Sequence, residues 1–139
     1  MNDRSNDVMA SFYRCRRAND FIDTFYRSFL SKSPTIAQKF AATDFKLQKL
    51  LLRQSLLEMI CFDRGLPGTH EEIARLGRSH QKMQITPEMY AWWLDALCEA
   101  IRQHDPDYSA ALEQQWRQSM SKSINAMLSA GETHLTDEG

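Results

Sequence analysis

The chain predicts an all-α fold, and three observations carry that expectation. Glycine and proline are scarce, five and four in 139 residues, and each proline stands where a helix could begin. Ser33-Pro34, Thr86-Pro87 and Asp105-Pro106 each place a capping side chain directly before a proline suited to the first helical turn. No alternating β-branched run of strand length occurs, whereas apolar residues recur at separations of three and four.

Taken in order, a first helix is expected from about Ser5 into the Arg16 region, with Val8, Phe12 and Cys15 inward. A second, about Asn19 to Ser31, carries Phe21, Ile22, Phe25, Tyr26 and Phe29. A short helical turn spans Pro34 to Phe40, and a long helix, about Asp44 to Arg64, aligns Phe45, Gln48, Leu52, Leu56 and Met59. Leu66-Pro67-Gly68 is the clearest break. Thr69 with Glu72 then fits the T-x-x-E capping box and opens a further helix. Two more follow, Pro87 to His104 and Pro106 to about Ala130. The chain reads as one domain over residues 1–139, with a disordered polar tail from about residue 131.

Composition narrows the function. Seventeen basic and eighteen acidic side chains leave a net charge of -1, so nothing points to nucleic acid or an anionic membrane as partner. The Arg14, Arg16 and Arg17 cluster reads as a solvated helix face. Cys15, Cys61 and Cys98, widely spaced and odd in number, support neither a disulfide framework nor a zinc ribbon. The polar start MNDRSNDVMASFYR has no secretory core segment, and no apolar window is long enough to span a bilayer; cytoplasm is the expected compartment.

The stretch Thr69 to Tyr90 holds the first irregularity. Ile73, Leu76, His80 and Met83 share one helical face, apolar except for His80. An imidazole in an inward stripe must find a carbonyl, a carboxylate or a metal, because an unpartnered buried polar group costs roughly 2–7 kcal/mol. Gln48 interrupts the stripe of the long helix in the same way, and Tyr26 carries a hydroxyl among the phenylalanines of the second. Taken singly, each is most simply a hydrogen-bonded core residue. Three such residues on three helices read together as the lining of one cavity with a polar centre. An imidazole on one side and donors on the other is what an iron macrocycle with an open sixth position requires. Phe40, Phe45, Leu52, Leu76 and the Trp92-Trp93 pair are available for a dry slot.

Four stretches carry a family resemblance: FYRSFLSKSPTIAQKF (Phe25 to Phe40), TDFKLQKLLLRQSL (Thr43 to Leu56), LGRSH (Leu76 to His80), and Tyr90. In these the chain, from about Phe21 to Trp116, resembles the bacterial single-domain globins, which are similar to the haem domain of flavohaemoglobins. Phe40 follows Tyr26 by fourteen residues and His80 follows Gln48 by thirty-two, the family's separations. The resemblance implies a globin fold of about seven helices around a pocket for haem b (iron protoporphyrin IX). It implies His80 as the proximal iron ligand, with its other ring nitrogen donating to a carbonyl one turn earlier. Tyr26 and Gln48 would be distal donors, and Leu52 would close the ligand cavity. Phe40, Phe45, Leu76, Ser79, Met83, Tyr90 and Trp93 would contact the cofactor. Oxygen, nitric oxide and carbon monoxide are the implied ligands, with nitric-oxide dioxygenation by way of a separate reductase as a second activity.

One position departs from the flavohaemoglobin pattern. The glutamate that pairs with the proximal tyrosine there falls, measured from Trp116, on Gly131, with Glu132 one residue off. A gas-sensing or interaction module read out by a partner, and a haem-free bundle with a satisfied core His80, are the competing readings. His70, His104 and His134 are expected to be exposed, and an exposed Trp92 would suit a homodimer contact, so the chain is expected as monomer or homodimer.

Overall fold

The computed structural model describes the backbone of residues 4–138 and the side chains of residues 6–132. The described residues form seven helices and no strand: α1 (Arg4–Arg17), α2 (Phe21–Ser31), α3 (Pro34–Lys39), α4 (Phe45–Asp63), α5 (Thr69–Lys82), α6 (Pro87–His104) and α7 (Ala110–Glu138). Helix α5 lies against α7 and α2 against α6, while α1 and α4 both pack onto α7. The expected inward faces of α1 and α2 are buried throughout, Val8, Phe12 and Cys15 on one and Phe21, Ile22, Phe25, Tyr26 and Phe29 on the other. Cys98 is buried and Cys61 half-buried, and all three thiols are free.

Local capping explains most of the boundaries. Ser33 accepts the Thr35 N–H at 3.2 Å and Thr86 the Met89 N–H at 3.2 Å, as the Ser-Pro and Thr-Pro pairs lead one to expect. Asp44 caps α4 through the N–H groups of Lys46 and Leu47. The T-x-x-E expectation fails: Thr69 lies inside α5, its hydroxyl donates to the Leu66 carbonyl at 2.6 Å, and Glu72 pairs with Arg75. The cap position belongs instead to Gly68, whose φ of 83° closes the turn after α4.

The Asp105-Pro106 pair also departs from expectation. Asp105 ends α6 instead of opening the last helix, which starts at Ala110 after Ser109 accepts the Leu112 N–H at 3.0 Å. The Asp105 carboxylate is otherwise engaged. It accepts from Ser11 at 2.6 Å, from Arg14 at 2.6 and 2.9 Å, and from the Asp107 N–H at 2.8 Å. Trp116 donates to the same Ser11 hydroxyl at 2.9 Å. Arg14 is therefore not part of a merely solvated face; it is the counter-ion of a buried carboxylate that ties α1 to the end of α6, while exposed Arg16 lies over the Phe12 and Tyr13 rings. Nor is His104 exposed, because its ring sits 2.7 Å from the Thr24 hydroxyl.

Burial opposes ionisation of Asp105, but the Arg14 guanidinium, the Ser11 hydroxyl and the Asp107 N–H outweigh it and hold the carboxyl below its ordinary value. A carboxyl lowered on folding contributes stability that is complete above its unfolded pKa and is lost as pH falls through the folded value. Asp105→Asn is expected to cost about 2 kcal/mol at pH 7. In urea titrations the gap from the parent chain should close below about pH 4, the ordinary range of an aspartate. A gap of equal size at pH 3 and pH 7 would show that charge is not what the site uses.

Candidate functional site

One cavity of 350 Å³ opens between α2, α3, α4, α5 and α6, with the middle of α7 as its floor. Of the residues singled out in the sequence, Tyr26, Phe40, Gln48, Leu52, Leu76, Ser79, His80, Met83, Tyr90 and Trp93 all line it. Phe45 does not reach the cavity. It packs behind, stacked on Phe40 at 5.8 Å and edge-on to Tyr26 at 5.4 Å, and so fixes the rings that do line the wall.

On one wall stands His80, in the last turn of α5. Its Nδ1–H donates to the Leu76 carbonyl at 2.6 Å, one turn earlier, which leaves Nε2 with its lone pair as the nitrogen available to a ligand. Burial lowers the His80 pKa against the opposing pull of that carbonyl, so the neutral, ligating form is favoured. The Tyr90 ring lies 5.9 Å from the imidazole, and no hydrogen bond of its hydroxyl occurs among the described residues. Burial raises the Tyr90 phenol to about 12.

On the opposite wall, Gln48 Nε2 donates to the Tyr26 hydroxyl at 3.1 Å. Tyr26 therefore accepts from the amide and keeps its own O–H free to donate elsewhere. Burial pushes that phenol up to about 12, against the smaller opposing effect of the Gln48 bond, so it stays protonated at any physiological pH. Leu52 is buried beside the pair and Phe40 stands edge-on to Tyr26 at 5.9 Å. Trp93 reaches the cavity and meets Phe25 at 5.9 Å, whereas Trp92 is half-buried outside it.

Met83 corrects the stripe reading. Helix α5 ends at Lys82, so Met83 leaves the helical face and stands at the rim, 52% exposed. Its carbonyl accepts from Lys39 Nζ at 2.9 Å, which ties α3 to the end of α5. The sequence reading missed the floor, Ile124 and Met127 of α7, and a polar corner of Gln54, Ser55, Glu58 and Arg75. The stripe Trp116, Met120, Ile124, Met127 is legible as an inward face, but not which end of it meets a cavity.

Gly77 sets the height of that floor. A Cβ on Gly77 would lie 2.3 Å from the Met127 carbonyl oxygen, so α5 and α7 touch backbone to backbone one turn before His80. Gly131 is buried against the Gln81 side chain in the same crossing.

A neutral imidazole with a free Nε2, facing a protonated phenol across a largely apolar slot, suits a flat cofactor held by one nitrogen. Among the described residues no three His, Cys, Asp or Glu side chains converge on a bare metal site. No helix among them is long and apolar enough to cross a membrane.

No family model matches the chain, and no curated protein matches it in sequence. Among solved structures it is similar to a Pseudomonas aeruginosa PAO1 protein described as structurally highly homologous to a human hemoglobin. The two are 38% identical, with 92% of this chain and 98% of that one covered and a TM-score of 0.88. With seven helices packed as a globin fold, this chain belongs to the bacterial globin-like proteins.

Proposed function

We propose that the protein binds haem b through His80 and uses it to bind oxygen reversibly. The observation that carries this reading is the His80 imidazole, held by the Leu76 carbonyl with Nε2 free toward the cavity. Ferrous haem supplies reversible binding of oxygen and other diatomics. The chain's own residues do the rest. Leu76, Leu52, Phe40 and Trp93 exclude water, and His80 orients the ring plane through its tautomer. The Tyr26 hydroxyl presents a proton to a ligand in the cavity, and Gln48 holds that hydroxyl in place.

A storage or delivery role fits this arrangement better than fast turnover of nitric oxide. Tyr90 sits beside His80 without a carboxylate partner among the described residues. Nitric-oxide dioxygenation with a separate reductase is the slower activity of the same site, and sensing by a partner would use the same ligand state.

The test is the visible spectrum of protein purified with haem supplied, taken ferric, ferrous and with carbon monoxide. A Soret band that shifts with carbon monoxide is expected; its absence defeats the proposal. The distal residues give an ordered prediction. Tyr26→Phe should speed oxygen dissociation about tenfold to a hundredfold, one strong hydrogen bond being worth roughly 1–3 kcal/mol in a dry pocket. Gln48→Leu should speed it less, since Gln48 spends a donor on Tyr26. Stopped-flow displacement of oxygen by carbon monoxide measures both, and an effect of Gln48→Leu larger than that of Tyr26→Phe would reverse the assignment.

A further inference from the structure

The outer side of α4 is unusual for a helix whose other face is packed. Leu47, Leu50 and Leu51 stand 54%, 57% and 46% exposed, three large apolar side chains at helical spacing on one surface. Leu51 also lines the cavity, and exposed Met83 lines it from just past the end of α5, so the apolar surface is continuous with the rim of the site.

Cations outnumber acids around this surface, which also carries Asp44, Glu58, Glu71 and Glu72. Lys46 and Arg53 on α4 and Arg78 and Lys82 on α5 are exposed, and none has a carboxylate partner among the described residues. Three of the nearby acids are engaged, Asp44 in capping α4, Glu58 with Gln54 and Glu72 with Arg75, which leaves Glu71 as the exposed acid of α5. Residues 34–83 hold eight Lys or Arg against five Asp or Glu, although the chain as a whole is at -1. Positive charge is thus gathered on the side where the cavity opens.

We infer that this face docks the acidic surface of a small one-electron carrier protein, an inference that rests on the haem reading above. An apolar centre ringed by free cations is complementary to an apolar patch ringed by carboxylates. The match would steer encounter and hold the carrier at the edge of the cavity. The exchange served is a single electron from carrier to ferric haem, which leaves the carrier oxidised by one and the haem ferrous. A second copy of this chain is the poorer occupant, since a two-fold contact would set the free cations of one α4–α5 face against those of the other.

The experiment uses the haem-loaded chain and a flavodoxin as probe, chosen as a small one-electron carrier with a strongly acidic surface. Reduction of the ferric protein by reduced flavodoxin is followed by stopped flow at increasing salt. The rate should fall steeply as salt screens the encounter, about tenfold or more between roughly 20 mM and 500 mM. Arg53→Glu with Arg78→Glu should slow it about tenfold at low salt. These residues do not line the cavity, so the Soret band should not change. Leu50→Ser should slow reduction while leaving the salt slope intact. A rate indifferent to salt and to the charge reversals overturns the inference, as does a face that binds phosphatidylserine vesicles but not flavodoxin, or one buried in a homodimer by sedimentation. A missing Soret band would instead refute the haem reading, and is read separately.

Discussion

His80→Ala is expected to abolish the Soret band of protein purified with haem supplied, while the far-ultraviolet helical signal is retained. Those two results are expected together because the imidazole does little for the fold. It is half-buried, its one internal bond is to the carbonyl of its own helix, and losing that bond costs about 1 kcal/mol. In the proposed haem complex it would be the nitrogen ligand, being the one imidazole that lines the cavity, and its loss should weaken haem binding by more than about a hundredfold, beyond the effect of removing a supporting partner. His80→Gly leaves room for a free imidazole, so adding imidazole to that variant should restore the band. A normal Soret band in His80→Ala would mean that another side chain holds the iron. Loss of helical signal together with the band would make His80 a core residue, the haem-free reading.

Gly77→Ala is expected to be the most damaging single methyl in the chain. Its Cβ would meet the Met127 oxygen, Cα and carbonyl carbon at 2.3, 2.7 and 2.8 Å, all of them backbone atoms that no rotamer change can remove. Helices α5 and α7 must separate, which breaks the most extensive helix pairing in the molecule. Overpacking of this kind costs about 3 kcal/mol, more than the roughly 1 kcal/mol that alanine gains over glycine inside a helix. The displacement also moves Met127 and Leu76, two walls of the cavity, so haem affinity should fall along with the denaturation midpoint. Gly131→Ala is the internal control. Its Cβ meets chiefly the flexible Gln81 side chain, at 3.0 and 3.1 Å, and the backbone oxygen of Gly77 only at 3.4 Å. A change within about 0.5 kcal/mol is expected there. If urea unfolding gave the two variants equal stability, the close crossing would not be the reason for glycine at Gly77.

The carboxylate at Asp105 shows how a local signal can be outvoted. Asp-Pro is a sound helix-start signal, and Ser33-Pro34 and Thr86-Pro87 behave as expected. Asp105 has the same neighbour but ends a helix, because Arg14 and Ser11, more than ninety residues away in sequence, take its oxygens. Thr69 fails as a cap for a nearer reason: Gly68 can adopt the left-handed turn and starts the helix one residue early. Met83 leaves its stripe for the same kind of reason, the helix having ended at Lys82.

The sequence by itself determined the helices and which face of each turns inward, since both depend on spacing along one chain. It also singled out His80, Tyr26 and Gln48, because an inward polar residue contradicts its own stripe wherever it is read. Only the tertiary structure decided how these residues meet. The Gln48 amide is spent on the Tyr26 hydroxyl, Phe45 supports the pocket without lining it, and α7 closes the floor at a contact that glycine alone permits. The exposed leucines beside the cavity, Leu47, Leu50 and Leu51, stand off the inward stripe of their helix, but only the fold sets them beside the site. The physical reason is the same throughout: helical period states that a side chain points inward, while what it meets there is set by crossings between helices distant in the chain.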